Sequence, residues 1–296
     1  VTATAAAATG ELPDVDVATA RHRFRPWRWL SGAVIAVLTF QVAWFVTHND
    51  RFEWPVVAEY LFDPNVLAGL GMSVLLTVLA MLAGSALGVL LALGRLADFG
   101  PVRWACGLYI GLFRGIPPLV QLLFWFNLAY LLPRLSFGVP FGPTLGSWST
   151  NDLITPLTAA LIGLTLHEAA YMAEIVRAGI LSVDPGQRDA AMAMGFTGGQ
   201  TFFRVVLPQA MRVIIPPTGS QFISLLKGTS LVSVIAMTDL LHAVQTVYNQ
   251  TYQIVPMLIV ACFWYLVVVT ALSFAQSRLE RRFGRGQRSS RGEWLA

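Results

Sequence analysis

The sequence predicts an all-α protein that crosses a lipid bilayer six times and keeps both ends on the cytoplasmic side. Three observations predict it. The chain is 55% hydrophobic with a mean hydropathy of +0.62. Only 12% of its residues are charged, about half the usual share of a soluble domain. Its cations gather at alternate edges of six apolar stretches, the pattern of membrane anchoring. A bilayer solvates that much apolar surface directly, whereas a soluble core has no use for it.

The elements follow in order. Residues 1–29 are polar, Ala/Thr-rich at first and basic at the end, with no apolar centre for a cleavable leader. They are expected to form a disordered cytoplasmic tail. A bilayer core about 30 Å thick needs roughly 20 apolar residues in a helix. Residues 30–46 carry no charge and give the first span, set within 30–47. Residues 66–93 are also uncharged and long enough to tilt. The third stretch, 104–132, holds one charge, Arg114, and is broken at Pro117-Pro118. Proline removes an amide donor and clashes with the preceding turn. The expectation there is an interfacial segment up to Gly115 and a span from Pro117 to Leu132. The fourth stretch, 153–181, contains His167, Glu168, Glu174 and Arg177. The fifth, 218–237, contains Lys227, and the sixth, 254–275, has no charge. The loops 47–65 and 133–152 should hold short surface structure and no separate domain.

Orientation comes from counting arginine, which supplies nineteen of the twenty cations. With the N-terminus inside, the cytoplasmic segments hold fifteen arginines and the outer loops only Arg51 and Arg134. That distribution, with a net charge of only +4, speaks for a membrane surface and against a nucleic-acid partner. The tail at 283–296 is basic and falls inside as well. Cys106 and Cys262 lie far apart in apolar runs, with neither a disulfide nor a zinc pattern.

Ionisable groups inside spans are costly and usually face an interior or a cavity. Glu168 is the deepest and has no local partner; a substrate cation, Lys227 or a neighbouring helix could each meet it. Glu174 and Arg177 are three apart and can pair. Gln121 and Asn127 suit either a polar ligand or inter-helix hydrogen bonds. His167-Glu168 begins an H-E-x-x-H pattern, but position 171 is Tyr, so the second zinc ligand is missing and no metal is expected. Gly84 and Gly88 form a small-xxx-small pair, read as close helix packing. Trp27, Trp29, Trp54, Trp104 and Tyr252 flank the spans as interfacial anchors.

Residues 182–217 are too polar to span and too patterned for a linker. Asp184 caps a helix, Pro185 suits its first position and Gln187 takes the capping-box position. Gly195 ends that helix as a left-handed cap. Thr197 and Gln200 form a second capping box, starting a helix expected to stop at Pro208. The first helix is too short to cross. Ala190, Ala191 and Met194 give it a weakly apolar face, which suits either lipid head groups or a shallow groove on a partner protein. Arg188 and Arg204 are read as solvated or lipid-facing.

The loop resembles the cytoplasmic EAA loop of ATP-binding-cassette (ABC) importer permeases. The residues that carry the resemblance are Asp189-Ala190-Ala191, three residues, Gly195, nine residues, Val205, one residue and Leu207-Pro208. The family pattern has Glu for Asp189 and Ile for Val205. The flanks at 171–180, 207–212, 215–217 and 226–231, and Phe113-Arg114-Gly115-Ile116-Pro117 followed by Gln121, resemble the polar amino-acid permeases for histidine, glutamine, glutamate and arginine. The resemblance implies a type I importer transmembrane domain over 66–282, a five-helix core with one added N-terminal span. It implies a multi-pass plasma-membrane subunit that imports a polar amino acid by alternating access. Implied partners are a cytoplasmic ABC ATPase dimer, a second permease subunit and an extracellular substrate-binding protein.

The resemblance assigns ATPase coupling to Gln187, Asp189, Ala190, Ala191, Gly195, Phe196, Leu207 and Pro208. The substrate pathway falls to Glu168, Gln121, Asn127, Glu174 and Lys227. A phosphate-binding loop needs Gly-Lys-Ser/Thr; the single lysine, Lys227, follows Leu226. The chain is therefore expected to bind no cofactor and catalyse nothing, with ATP-Mg held by the partner ATPase. The rival reading is an ion-coupled secondary transporter, which would carry its own ion site among the intramembrane charges.

Overall fold

The computed structural model describes residues 26–138 and 144–283. Most of the two tails expected at 1–29 and 283–296 lies outside the described residues. The chain divides into two units, residues 1–52 and 53–296. In the first, α1 (Pro26–His48) is a single helix, long enough at about 34 Å to cross a bilayer. Its hydroxyls are satisfied within the helix: Thr39 donates to the Ile35 carbonyl and Thr47 to the Ala43 carbonyl, both at 2.8 Å. Unpaired hydroxyls would be costly in hydrocarbon.

In the second unit, α2 (Trp54–Tyr60) is followed by α3 (Pro64–Leu96), α4 (Gly100–Gly115), α5 (Pro118–Phe126) and α6 (Leu128–Leu131). An antiparallel hairpin, β1 (Arg134–Gly138) with β2 (Thr144–Ser149), pairs Arg134 with Ser149 and leads into α7 (Thr150–Leu153). Then come α8 (Pro156–Leu181), α9 (Pro185–Ala193), α10 (Gly198–Thr201), α11 (Leu207–Gly228), α12 (Leu240–Thr251) and α13 (Ile254–Phe283). Four helices, α1, α3, α8 and α13, are long and apolar enough to cross a membrane, and up to six spans result if each of two bent pairs counts as one.

α8 is the hub. In its most apolar stretch 56% of residues are buried, against 33% for α3 and 22% for α13. α3 reaches it through a stripe of small buried residues at four-residue spacing, Gly84, Gly88 and Ala92 among them. A Cβ on Gly84 would stand 2.8 Å from the Glu168 Cβ, and one on Gly88 would stand 2.6 Å from the Met172 Cβ. The expected packing role of this pair is what the structure shows. Further along α3, Gly69 and Ser73 meet the start of α12. The Ser73 hydroxyl accepts from the Leu240 amide at 3.1 Å, and Asp239 caps α12 by accepting from the amides of His242 and Leu241.

The third stretch departs from expectation. The break falls where the prolines place it, but residues 117–132 are not a continuous span. α5 has nine residues, only about 13 Å, and it turns 103° from the 16-residue α4. Pro117 has no amide proton to give the Phe113 carbonyl four residues earlier. Gln121 replaces it: its Nε2 donates to the Phe113 and Ile116 carbonyls, both at 2.8 Å. Replacing Gln121, which is buried, with leucine strips the elbow of both bonds. The variant should lose about 2–4 kcal/mol of stability, read as a lowered melting temperature in detergent.

Pro208 does not stop a helix either. It sits in the first turn of α11, and the preceding turn, Phe202–Val206, is π-helical, with the Leu207 amide bonded to the Phe202 carbonyl. The wider turn leaves room for the ring and absorbs the missing donor. The fifth stretch is thus helical from Leu207 rather than 218. It ends at Gly228, where Thr229–Ile235 tighten into a 3-10 turn before Ala236 at φ 56°. Thr229, Ser230 and Ser233 each donate to the carbonyl three residues back, which draws the turn in.

Candidate functional site

Two regions concentrate the expected functional residues. The first is the loop built on α9 and α10. Asp184 caps α9 by accepting from the Gly186 amide at 2.6 Å. The Gln187 side chain makes no hydrogen bond among the described residues, so it is not the second half of a capping box. Gly195 adopts φ +85° with nothing within 4 Å of a notional Cβ, so only its backbone freedom is required there. Its amide bonds to Met192, and the Phe196 amide reaches back to Ala191 at 3.1 Å. This Schellman closure reverses the chain into the second capping box, formed as expected by Thr197 and Gln200.

The geometry divides α9 into two faces. Ala191 is buried, not part of an exposed strip with Ala190, and Arg188 is half-buried rather than solvated. Arg188 donates through Nη2 to the Ile180 carbonyl at 2.9 Å, tying α9 to the C-terminal end of α8. Gln187, Asp189, Ala190 and Ala193 are exposed, as are Met194 at 70% and Phe203 at 67%. Phe196 and Leu207 are half-buried, and Pro208 is exposed. The result is an inner face anchored at Ala191 and Arg188 and an outer face on which the short side chains of Asp189, Ala190 and Ala193 are flanked by Gln187 and by exposed Met192 and Met194.

The second region surrounds Glu168, the thirteenth of the 26 residues of α8 and hence midway along that helix. It is completely buried. Gln221 of α11 donates to its Oε2 at 3.1 Å, while Oε1 has no partner. No cation among the described residues pairs with it: Lys227 is exposed at the end of α11. Gln121 meets the preceding residue instead, its Nε2 lying 3.4 Å from Nδ1 of His167 while it serves the elbow. Asn127 is exposed and caps its own helix, donating to the Leu123 carbonyl at 2.8 Å. Glu174 pairs with Arg177 at 2.8 Å while both remain partly exposed, and Arg114 sits over the Tyr171 ring at 5.3 Å. The five pathway residues are therefore not assembled into one site. Gln221, 53 residues from Glu168, was absent from the expected set; no spacing rule joins two helices across such a separation.

A family model described as "binding-protein-dependent transport system inner membrane component" matches residues 84–285. The chain is similar to the arginine transport system permease protein of Corynebacterium glutamicum, with 38% identity over 284 residues, covering 95% of this chain and 86% of that one. Such coverage leaves fewer residues outside the match than the stretch that precedes α1, so the added first helix falls within it. It is also similar to the L-cystine transport system permease protein of Bacillus subtilis, 37% identical over 241 residues, covering 81% and 95% of the two chains. Among solved structures, an amino acid ABC transporter crystallised with histidines superposes with a TM-score of 0.64 at 33% identity. That match covers 76% of this chain and 97% of the other.

Proposed function

The chain belongs to the family of inner membrane components of binding-protein-dependent transport systems, and from that premise we propose how it imports an amino acid. It is a multi-pass plasma-membrane permease of an ABC importer, and a separate ATPase, working as a dimer, supplies the energy from ATP-Mg. The outer face of α9 docks on that ATPase, with Gln187, Asp189 and Ala190 in contact. Gly195, Phe196, Leu207 and Pro208 fix the loop that presents them, and Ala191 packs its inner side. Arg188 joins this set as a positioning residue, because it transmits displacement of α9 to α8. A second permease subunit, this chain or a homologue, completes the translocation path, and an extracellular binding protein delivers the substrate. Closure of the ATPase pair then moves the docked helices as rigid bodies and alternates access to the cavity. Family membership disfavours the ion-coupled alternative.

The observation that carries the coupling role is the division of α9. Its inner side is buried at Ala191 and bonded to α8 through Arg188, whereas on its exposed side the short side chains of Asp189, Ala190 and Ala193 leave a partner backbone room to approach. For the substrate, the carrying observation is Glu168. A buried carboxylate with one unpartnered oxygen and no counter-ion is expensive to maintain in a membrane. It suits an amino acid bearing an ammonium or guanidinium group, and the arginine permease of Corynebacterium glutamicum is among the relatives.

Glu168→Gln tests this role. The amide preserves shape and can still bond Gln221, so assembly should survive. Uptake of radiolabelled arginine should fall by at least about tenfold, the loss of one buried charge contact to a substrate cation. Undiminished uptake of every amino acid tried would remove Glu168 from the pathway and leave it as packing against Gly84.

A further inference from the structure

A pocket of about 410 Å³ lies under the inner face of α9, lined by Leu93 and Leu96 of α3, Ile180 of α8, Arg188 and Met192 of α9, and Thr201 with its neighbours. Its walls are largely apolar. Two lining residues nonetheless have polar atoms that are buried and without a partner, Nε of Arg188 and Oγ1 of Thr201. Thr201 is only 5% exposed. Arg188 donates once, to the Ile180 carbonyl, and makes no ion pair among the described residues. Nε of arginine is a donor, and a threonine hydroxyl can turn to donate as well. No acidic side chain lines the pocket. What the cluster lacks is an acceptor carrying negative charge.

We infer that this pocket binds the phosphate of an anionic phospholipid, held by Arg188 and Thr201, with its acyl chains running out past Leu93 and Leu96. Depth and polarity select this ligand over a soluble anion. Leu93 and Leu96 close the cytoplasmic end of a membrane span, the level of the inner-leaflet head groups. The apolar walls suit chains rather than water. The negative charge of that leaflet draws in arginine, and guanidinium pairs with phosphate in a charge-assisted fork. Arg188 and Met192 lie about 160° around α9 from Ala190 at roughly 100° per residue, so the lipid would sit behind the helix and leave the Ala190 side free. The inference rests on the membrane placement of the chain and is independent of which residues contact the ATPase.

The test uses the full complex of chain and ATPase, purified in detergent, exposed to phosphatidylglycerol and examined by native mass spectrometry. One phosphatidylglycerol per copy of this chain should be retained, with phosphatidylcholine held at least about tenfold less. Arg188→Gln should lower retention by about tenfold, the loss of one charge-assisted contact. Met192→Trp, which fills the pocket and keeps the guanidinium, should do the same without relying on how Arg188→Gln folds. Equal retention by wild type and Met192→Trp would overturn the proposal, as would equal retention of the two lipids. Displacement of the lipid by millimolar inorganic phosphate would also overturn it, and would assign the pocket to a soluble anion instead.

Discussion

Replacing Gly88 with leucine should leave no stably assembled protein. A Cβ at that position would stand 2.6 Å from the Met172 Cβ, 2.9 Å from the Ala169 carbonyl oxygen and 3.0 Å from the Ala173 amide nitrogen. Two of these three neighbours are backbone atoms of the central helix, so no rotamer change relieves the clash. Overpacking in a core ordinarily costs about 1–3 kcal/mol; forcing α3 away from the hub should exceed that range. Gly71 provides the control. It lies on the same helix, and nothing comes within 4 Å of its notional Cβ. Gly71→Leu should give a monodisperse peak in detergent at near wild-type yield, whereas Gly88→Leu should aggregate. Equal yields from the two would show that α3 and α8 do not approach as closely as described.

Ala190→Trp should abolish ATPase docking while the permease itself stays intact. Ala190 is exposed and Ala191, one residue on, is 1% exposed. A tryptophan at 190 therefore meets only the partner, and one at 191 meets the bundle. Interface positions that matter commonly cost 2 kcal/mol or more when disturbed, about thirtyfold in affinity. ATPase co-purification should drop by at least about that factor for Ala190→Trp, at an unchanged melting temperature. Ala191→Trp should lower the melting temperature itself. If Ala190→Trp retained the ATPase fully, the outer face of α9 would not be the docking surface.

The contrast between these neighbouring alanines shows where sequence reading reaches its limit. Hydropathy locates the spans because the bilayer imposes one length on each of them. Local rules locate Asp184, Gly195, and the Thr197 and Gln200 box, because a cap is formed by residues within five positions of one another. The elbow at Pro117 is readable for the same reason, through the missing amide. What α5 does afterwards is not, since its 103° turn depends on packing against α8. The loop motif groups Ala190 with Ala191, but only the packed structure reveals that one faces out and the other in.

Arg188 reads as a solvated cation until its bond to Ile180, eight residues earlier, becomes visible. Pro208 reads as a stop because a proline inside a helix usually is one; the π-turn ahead of it carries no simple sequence mark. Glu168 stands out by its charge in an apolar run. Its partner Gln221 does not, because glutamine is unremarkable at the start of a span and the contact is tertiary.

Reconstitution in proteoliposomes separates an ATP-driven importer from an ion-coupled carrier. The chain would be incorporated with its partner ATPase, and ATP hydrolysis and arginine uptake would be measured together, with the binding protein present. Uptake should require ATP, delivered amino acid should stimulate hydrolysis, and Ala190→Trp should lose both while its spans still fold. Uptake that persists without the ATPase and follows a sodium or proton gradient would contradict it.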